Sequence, residues 1–319
     1  MFISRKRDFS ALTTAVLASI LFGTNAVALK VAVETMNPLL FASLRFFAVG
    51  AILLLFVKSF AFFKNPKILM QLLLASCLIT IFVALHALGV AQSGALKASI
   101  FSLVAPVFVY IFSVTMLHEP FIKRVMFGGA ISLFGSVLLV GVPAILGQEL
   151  ARGDLFLLIA YIALAASVVH AKYLYKWLDP NEILGVRFTL SGLALLVFVL
   201  FMYDFSTLAT GAPLAWILLL YGIVVTGAIG NSLYYKALNK IRAEDAAPIF
   251  YLEPMVGAIG AALLLGERLD VGAMVGMSII VVGVLLAYPH HNRLMHYYHV
   301  HAPRHPLGYL RNLIQSIRS

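Results

Sequence analysis

Two stretches of this chain decide its fold when read side by side: "MNPLLFASLRFFAVGAILLLFV" from Met36 and "LDPNEILGVRFTLSGLALLVFV" from Leu178. At a shift of 142, Pro38 meets Pro180, Arg45 meets Arg187, Phe46 meets Phe188, Gly50 meets Gly192 and Phe56 meets Phe198. A second block, residues 95–140, matches residues 243–288 at a shift of 148. There Ala98 meets Ala246, Pro106 meets Pro254, Glu119 meets Glu267, Gly128 meets Gly276 and Gly135 meets Gly283. Gap-free matches over two long blocks point to an internal duplication.

The copies sit in a very apolar chain. Of 319 residues, 62% are hydrophobic and only 11% charged, with a mean hydropathy of +1.00. Soluble domains carry about 25% charged residues, so the composition reads as a polytopic membrane protein. A spanning helix needs roughly 20 apolar residues. Ten stretches qualify: 11–33, 38–57, 68–88, 96–117, 124–145, 154–177, 181–203, 213–237, 245–265 and 270–288. Helices are required because lipid offers backbone groups no partners. The expected fold is therefore all-α and integral to the membrane, with ten transmembrane helices. The N-terminus, "MFISRKRDFSALTTAVLASILFGTNAVALK", carries a basic start and an apolar run like a signal peptide. A similar stretch recurs mid-chain, so it reads as the first span.

Each copy holds five spans. Five is odd, so the second copy enters the membrane inverted, and inverted repeats are typical of secondary transporters, with the substrate near the midplane between them. The expected parts are a cytoplasmic N-terminus at 1–10, repeat one at 11–145, repeat two at 154–288 and a basic, His-rich cytoplasmic tail at 289–319. A net charge of +10 could suggest nucleic acid, but the basic residues lie in short loops, where they orient the chain. With both termini cytoplasmic, Lys58, Lys64, Lys67, Lys123, Lys176, Lys236 and their neighbours lie inside. Only Lys97, Arg152 and Arg268 then face out. Cys77 is the only cysteine, so no intrachain disulfide can form.

The duplication also sorts polar residues. One present in both copies serves the scaffold; one present in a single copy points to a ligand, which is asymmetric. Glu253 lies near the middle of "APIFYLEPMVGAIGAALLL", opposite Ala105. A lone carboxylate at bilayer depth costs at least a few kcal/mol. At helical spacing it shares one side, taken as the small-residue side, with Ala246, Phe250, Gly257 and Gly260, while Leu252, Met255, Ile259 and Leu263 form a bulky side suited to lipid. Glu253 is thus expected to face inward, to bind a substrate ammonium, carry a coupling proton or accept a structural hydrogen bond. Asn25 (opposite Ser167), Tyr251 (opposite Leu103), Asn231 (opposite Val83), His86 (opposite Tyr234) and His170 (opposite Ala28) are further candidates for substrate binding or proton coupling. Each has a plain structural alternative.

Pro106 and Pro254 each remove a helix hydrogen bond, as a hinge or as a static kink. Arg45 and Glu267 should lie near one face of the membrane, Arg187 and Glu119 near the other, and each pair is expected as an ion pair between repeats. Beyond Pro289, six of the nine histidines match no zinc spacing, so no metal site is expected. Leu307, Leu310, Ile314 and Ile317 suggest a short amphipathic helix in the tail. No Walker A loop, zincin motif or dinucleotide fingerprint occurs, so neither cofactor nor ATP coupling within this chain is expected.

The first span's "FGTNAVALK", the second's "LRFFAVGAILLL", the "LHEPF" after span four, and "YLEPMVGAIGAALLLGERL" with "VGMSIIVVGVLLAY" in the second half resemble the drug/metabolite transporter superfamily, in its EamA-type ten-helix branch. The resemblance covers about residues 10–288. It departs where the first copy has "LVAP" and the second "YLEP". It implies ten helices around a central cavity, and metabolite or amino-acid efflux as the commonest activity. The expected function is a secondary-active transporter exporting a small metabolite such as an amino acid. Uptake or exchange, and a membrane-embedded lipid-modifying enzyme, are the alternatives. The expected partners are a small-molecule substrate, the lipid bilayer and a coupling proton, without nucleic acid, for a monomer or homodimer in a bacterial inner membrane.

Overall fold

A computed structural model of the chain describes residues 9–57, 59–140, 151–203, 211–265, 269 and 271–287. Among them every regular element is helical. In the first half these are α1 (Phe9–Ala32), α2 (Pro38–Leu54), a 3-10 turn (Ala61–Lys64), α3 (Pro66–Ser102), α4 (Val104–Met116) and α5 (Lys123–Val140). The second half begins with α6 (Arg152–Leu174), α7 (Pro180–Met202) and α8 (Pro213–Tyr221). A π-helical stretch (Gly222–Gly230) leads into α9 (Asn231–Lys240). Then come α10 (Ala243–Ala246), a 3-10 stretch (Ala247–Tyr251), α11 (Leu252–Leu265) and α12 (Val271–Ala287). Among the described residues four helices are long and apolar enough to cross a bilayer: Pro66–Val90, Arg152–Leu174, Pro180–Met202 and Pro213–Lys240. Four shorter apolar helices accompany them.

Local chemistry sets where the helices begin. Asn37 Oδ1 accepts from Leu39 N (2.9 Å) and Leu40 N (3.1 Å), and Pro38 opens α2 where no donor is needed. Asn65 and Pro66 do the same for α3. At α7 the side chain of Glu182 accepts from Asp179 N at 2.8 Å, with Pro180 next in line.

The prolines at 106 and 254 are not mid-helix. Each is the third residue of its helix, α4 or α11. The proline ring excludes the carbonyl four residues back, Ser102 or Phe250. In keeping with this, α3 ends at Ser102 and the 3-10 stretch ends at Tyr251.

The connection expected at 89–95 is itself helical, within backbone that is helical from Pro66 to Ser102. That helix is not straight. Phe82 and His86 stack on Tyr161, and Ser102 hydrogen-bonds to it. A straight helix would separate residues 82 and 102 by about 30 Å. The chain therefore doubles back, and the Ser93–Gly94 pair, a helix-weakening step, lies in the stretch where it does so.

Packing is reciprocal between the halves. The most extensive helix contacts are α3 on α6, α5 on α12 and α2 on α7. Helices α2 and α7 are the copies quoted above, and α5 and α12 are likewise related, so each packs on its own counterpart. A Cβ added to Gly50 would collide with Thr189, and one added to Gly192 with Phe47. In the second seam the Cβ position of Gly135 is 2.7 Å from Gly276 O, and that of Gly276 is 2.6 Å from Gly135 O. Helix α1 packs on α9, the π stretch and α11; its counterpart α6 packs on α3 and α4. Outward faces carry bare apolar side chains, among them Phe201 (83% exposed) and Leu263 (79%), as a lipid-facing surface does.

Candidate functional site

One group of polar residues between the halves, among the described residues, is drawn from six helical segments. Arg45, on α2, donates from Nε to Gly222 O (3.0 Å) and from Nη2 to Thr226 Oγ1 (3.1 Å). Thr226 Oγ1 in turn donates to Asn25 Oδ1 at 3.0 Å. The π stretch makes this docking available, because its wider turn shifts backbone carbonyls out of the ordinary ladder. Asn231 Nδ2 ties two more of those carbonyls, Gly227 O (2.9 Å) and Thr226 O (3.4 Å).

His86, on α3, lies within electrostatic reach of Arg45 and packs edge-on against the Tyr161 ring, centroids 5.6 Å apart at 89°. Tyr161, on α6, is bonded to the Ser102 side chain and feels the charge of Glu253. Glu253 opens α11, and its main-chain carbonyl presses on α1 at Gly23. Its Oε1 is buried and has no hydrogen-bond partner among the described residues. On the same helix Ile259 and Leu263 are exposed, as the bulky side was expected to be, whereas Leu252 is buried. Asn25, Thr226 and Arg45 thus form one hydrogen-bonded group and His86 and Tyr161 a ring pair, with Arg45 within electrostatic reach of His86 and Glu253 within reach of Tyr161. Arg45 is the basic end of this arrangement, Glu253 its acidic end, and the two rings lie between.

The other candidates lie elsewhere. Tyr251 is 2% exposed, and its hydroxyl reaches Leu103 O at 3.5 Å. Leu103 is the position that the 148-residue shift pairs with Tyr251, so this contact joins the halves at their own correspondence. His170 is buried, holds Gln71 O at 3.1 Å and stacks on Tyr173, which ties α6 to α3. Asn231 is spent on its own helix.

The expected Arg187–Glu119 pair is not made. Arg187 is fully buried and donates from Nη1 to Ser167 Oγ (3.0 Å) and Ser167 O (3.3 Å). Its guanidinium is flanked by the rings of Phe188 and Tyr235, 4.9 and 4.5 Å from their centroids. Glu119 instead accepts from two backbone amides, Ala243 N (3.1 Å) and Glu244 N (3.0 Å). Two amide donors at a helix start satisfy a carboxylate without a cation. Burial pushes the Glu119 carboxyl up, against the opposing pull of Lys172 and those two amides. Glu267, the partner expected for Arg45, and the tail beyond 288 lie outside the described residues.

Two members of this central arrangement were missed. Tyr161 stands opposite Ser19, and Thr226 opposite Leu78. Both are asymmetric between the copies, so the rule that picked Glu253 would have found them. A tyrosine or threonine in an apolar helix is simply less conspicuous than a carboxylate. The buried ion pair between Lys97 Nζ and Asp154 Oδ2, at 2.8 Å, was also not foreseen. It joins the start of α6 to α3.

The model of the EamA-like transporter family matches the chain twice, over residues 9–141 and 151–288. The chain belongs to the EamA-like transporter family. Among relatives, the Bacillus subtilis protein named "Uncharacterized transporter YoaV" is 24% identical over 84% of this chain and 93% of its own length. An Escherichia coli protein named "Probable amino-acid metabolite efflux pump" is 25% identical over 85% of this chain and 92% of its own. A protein of known crystal structure shares the fold at a TM-score of 0.74, with 15% identity, over 87% of this chain and 96% of that one. This EamA-like chain is accordingly a multi-pass membrane protein and a transporter.

Proposed function

We propose that the protein is a secondary-active exporter of a small metabolite bearing both an amine and a carboxylate, such as an amino acid, working by alternating access. The observation that carries this reading is the Glu253 carboxyl group, with a buried oxygen that has no hydrogen-bond partner among the described residues and with Tyr161 within its electrostatic reach. A substrate ammonium is the natural partner for that oxygen. At the other end Arg45, held by Thr226 and Gly222, is placed to receive a substrate carboxylate, with His86 and Tyr161 as the wall between. The name of the Escherichia coli relative agrees with this class of cargo.

In this reading ten spans form two inverted five-helix repeats around a central cavity, with both termini in the cytoplasm of a bacterial cell. The reciprocal packing of α2 on α7 and of α5 on α12 supports the arrangement, and the basic residues of the loops support the orientation. Helices α4 and α11, each beginning just before a proline, are the hinged elements. A second use of Glu253, as the carrier of a coupling proton, rests on the same oxygen.

Binding tests the proposal directly. Purified protein is titrated with amino acids and polyamines by thermal shift and calorimetry, beside Glu253→Gln and Arg45→Met. An α-amino acid that stabilises the parent and neither variant supports the reading. A ligand that stabilises all three equally overturns it.

A further inference from the structure

At one end of the second half, the chain turns sharply between α9 and α10, around Ile241 and Arg242. The elbow is gripped by side chains from two other helical segments. Lys172, in the last turn of α6, donates from Nζ to Leu238 O at 2.7 Å and to Ile241 O. Leu238 O belongs to the closing turn of α9, the negative end of that helix, and Ile241 O to the extended residue just past it. Glu119, from the segment after α4, accepts from Ala243 N and Glu244 N, the opening amides of α10. A cation therefore sits on the carbonyl side of the elbow and an anion on its amide side.

Arg242, on the elbow itself, bonds Asp245 at 2.9 and 3.1 Å and Glu244 at 2.8 Å. Glu119 is 8% exposed, Glu244 0% and Asp245 3%. Buried ionic groups add little net stability, and the role best attested for them is to fix a geometry. His118, just before Glu119, has φ 55°, a left-handed backbone that a non-glycine residue adopts at a cost of about 1–2 kcal/mol. That conformation turns the chain out of α4 and presents Glu119 to the elbow.

The elbow leads through α10 and the 3-10 stretch directly to Glu253. We infer that Glu119 and Lys172 are positioning residues which together latch the 241–243 elbow, hold this end of the protein closed, and release it when the cavity opens to this side. The inference rests on the transport reading but not on the identity of the cargo. Glu119 belongs to the first half and the elbow, with Lys172, to the second, so the Glu119 carboxylate carries the latch across the halves that must move apart while Lys172 holds the elbow from within its own half. The lysine-rich loops place this end at the cytoplasmic face.

Accessibility of a buried alanine tests it. In a Cys77→Ser background, Ala246→Cys places a thiol in α10, where the parent residue is 0% exposed. Labelling by a membrane-impermeant maleimide is followed in inside-out vesicles. Glu119→Gln and Lys172→Met are each expected to speed labelling at least ten-fold, while the dissociation constant of any ligand at the central site changes less than three-fold and turnover falls. Glu182→Gln removes a carboxylate cap that does not cross between halves, and should label at the parent rate. Ala165→Cys, 0% exposed in α6, reports on the fold. Unchanged labelling of Ala246→Cys in both latch variants overturns the proposal. So does a rise at Ala165→Cys equal to that at Ala246→Cys, since that means general loosening. Failure of Glu253→Gln to alter binding would overturn the cargo reading and leave the latch result independent of it.

Discussion

Phe46 and Phe188 meet edge to face where α2 crosses α7, their ring centroids 5.0 Å apart and their planes at 85°. They occupy the same position in the two copies, 142 residues apart. Beside them Gly50 and Gly192, also equivalent, let the two backbones close on each other. A residue that packs on its own counterpart marks the seam across which the halves exchange. An aromatic pair of this geometry contributes about 0.5–1.5 kcal/mol beyond simple contact. A double-mutant cycle of Phe46→Leu and Phe188→Leu, read by reversible unfolding in mixed detergent, should return a coupling in that range. Strictly additive losses would show that the two rings act separately.

The glycines of α5 give a contrast within one helix. A Cβ at Gly135 meets Gly276 O and Ile280 N at 2.7 Å, both backbone atoms that cannot step aside. A Cβ at Gly129 has no atom within 4 Å. Gly135→Ala should lower the melting temperature and Gly129→Ala should leave or raise it, because alanine favours helix over glycine by about 1 kcal/mol. Melting of the two variants in the same detergent checks the order.

Arginine substitutions should separate the two copies of one position. Arg187 is enclosed, with two of its nitrogens lacking hydrogen-bond partners among the described residues, so an apolar residue of similar volume removes the cost of keeping that charge out of water. Arg187→Met is expected to hold or raise the melting temperature and to keep transport. Arg45→Met breaks the bonds to Thr226 and Gly222 and should abolish transport in proteoliposomes while the protein stays folded. Equal loss of transport in both would remove the distinction.

Glu253→Gln keeps shape and removes charge. If the carboxylate holds a substrate amine, binding should weaken at least a hundred-fold at pH values where the parent carboxyl is ionised, and the difference should shrink as the pH falls. If it carries the coupling proton, the variant should lose gradient-driven transport yet keep exchange. Counterflow and gradient-driven uptake in the same vesicles distinguish the two. Normal activity of Glu253→Gln in both assays, with Glu253→Ala merely less stable, would return the residue to a structural role.

Orientation is open to reporter fusions. A periplasmic-active reporter joined after Tyr288 should be silent, and one joined near Gln148 active. The opposite pattern would reverse the assignment of faces.

By itself the sequence determined the class of this protein. Its hydrophobicity leaves no soluble fold, its polar punctuation marks helix starts such as Asn37–Pro38 and Asn65–Pro66, and its duplication singles out Glu253. These are local properties: a run of apolar residues, a cap or a proline acts on its own few turns, so each can be read along the chain. Tertiary structure alone decided the partners. Arg45 and Arg187 are identical in sequence role, yet one meets Thr226 across a π-helical stretch and the other closes on Ser167 within its own half. Glu119, expected to seek an arginine, instead caps two amides of α10. In a low-dielectric interior a charge binds whichever complementary group the crossing of helices brings within hydrogen-bond distance, an acceptor for an arginine or a donor for a glutamate. That crossing is set by small residues such as Gly50, Gly135, Gly192 and Gly276, whose contacts lie more than a hundred residues away along the chain.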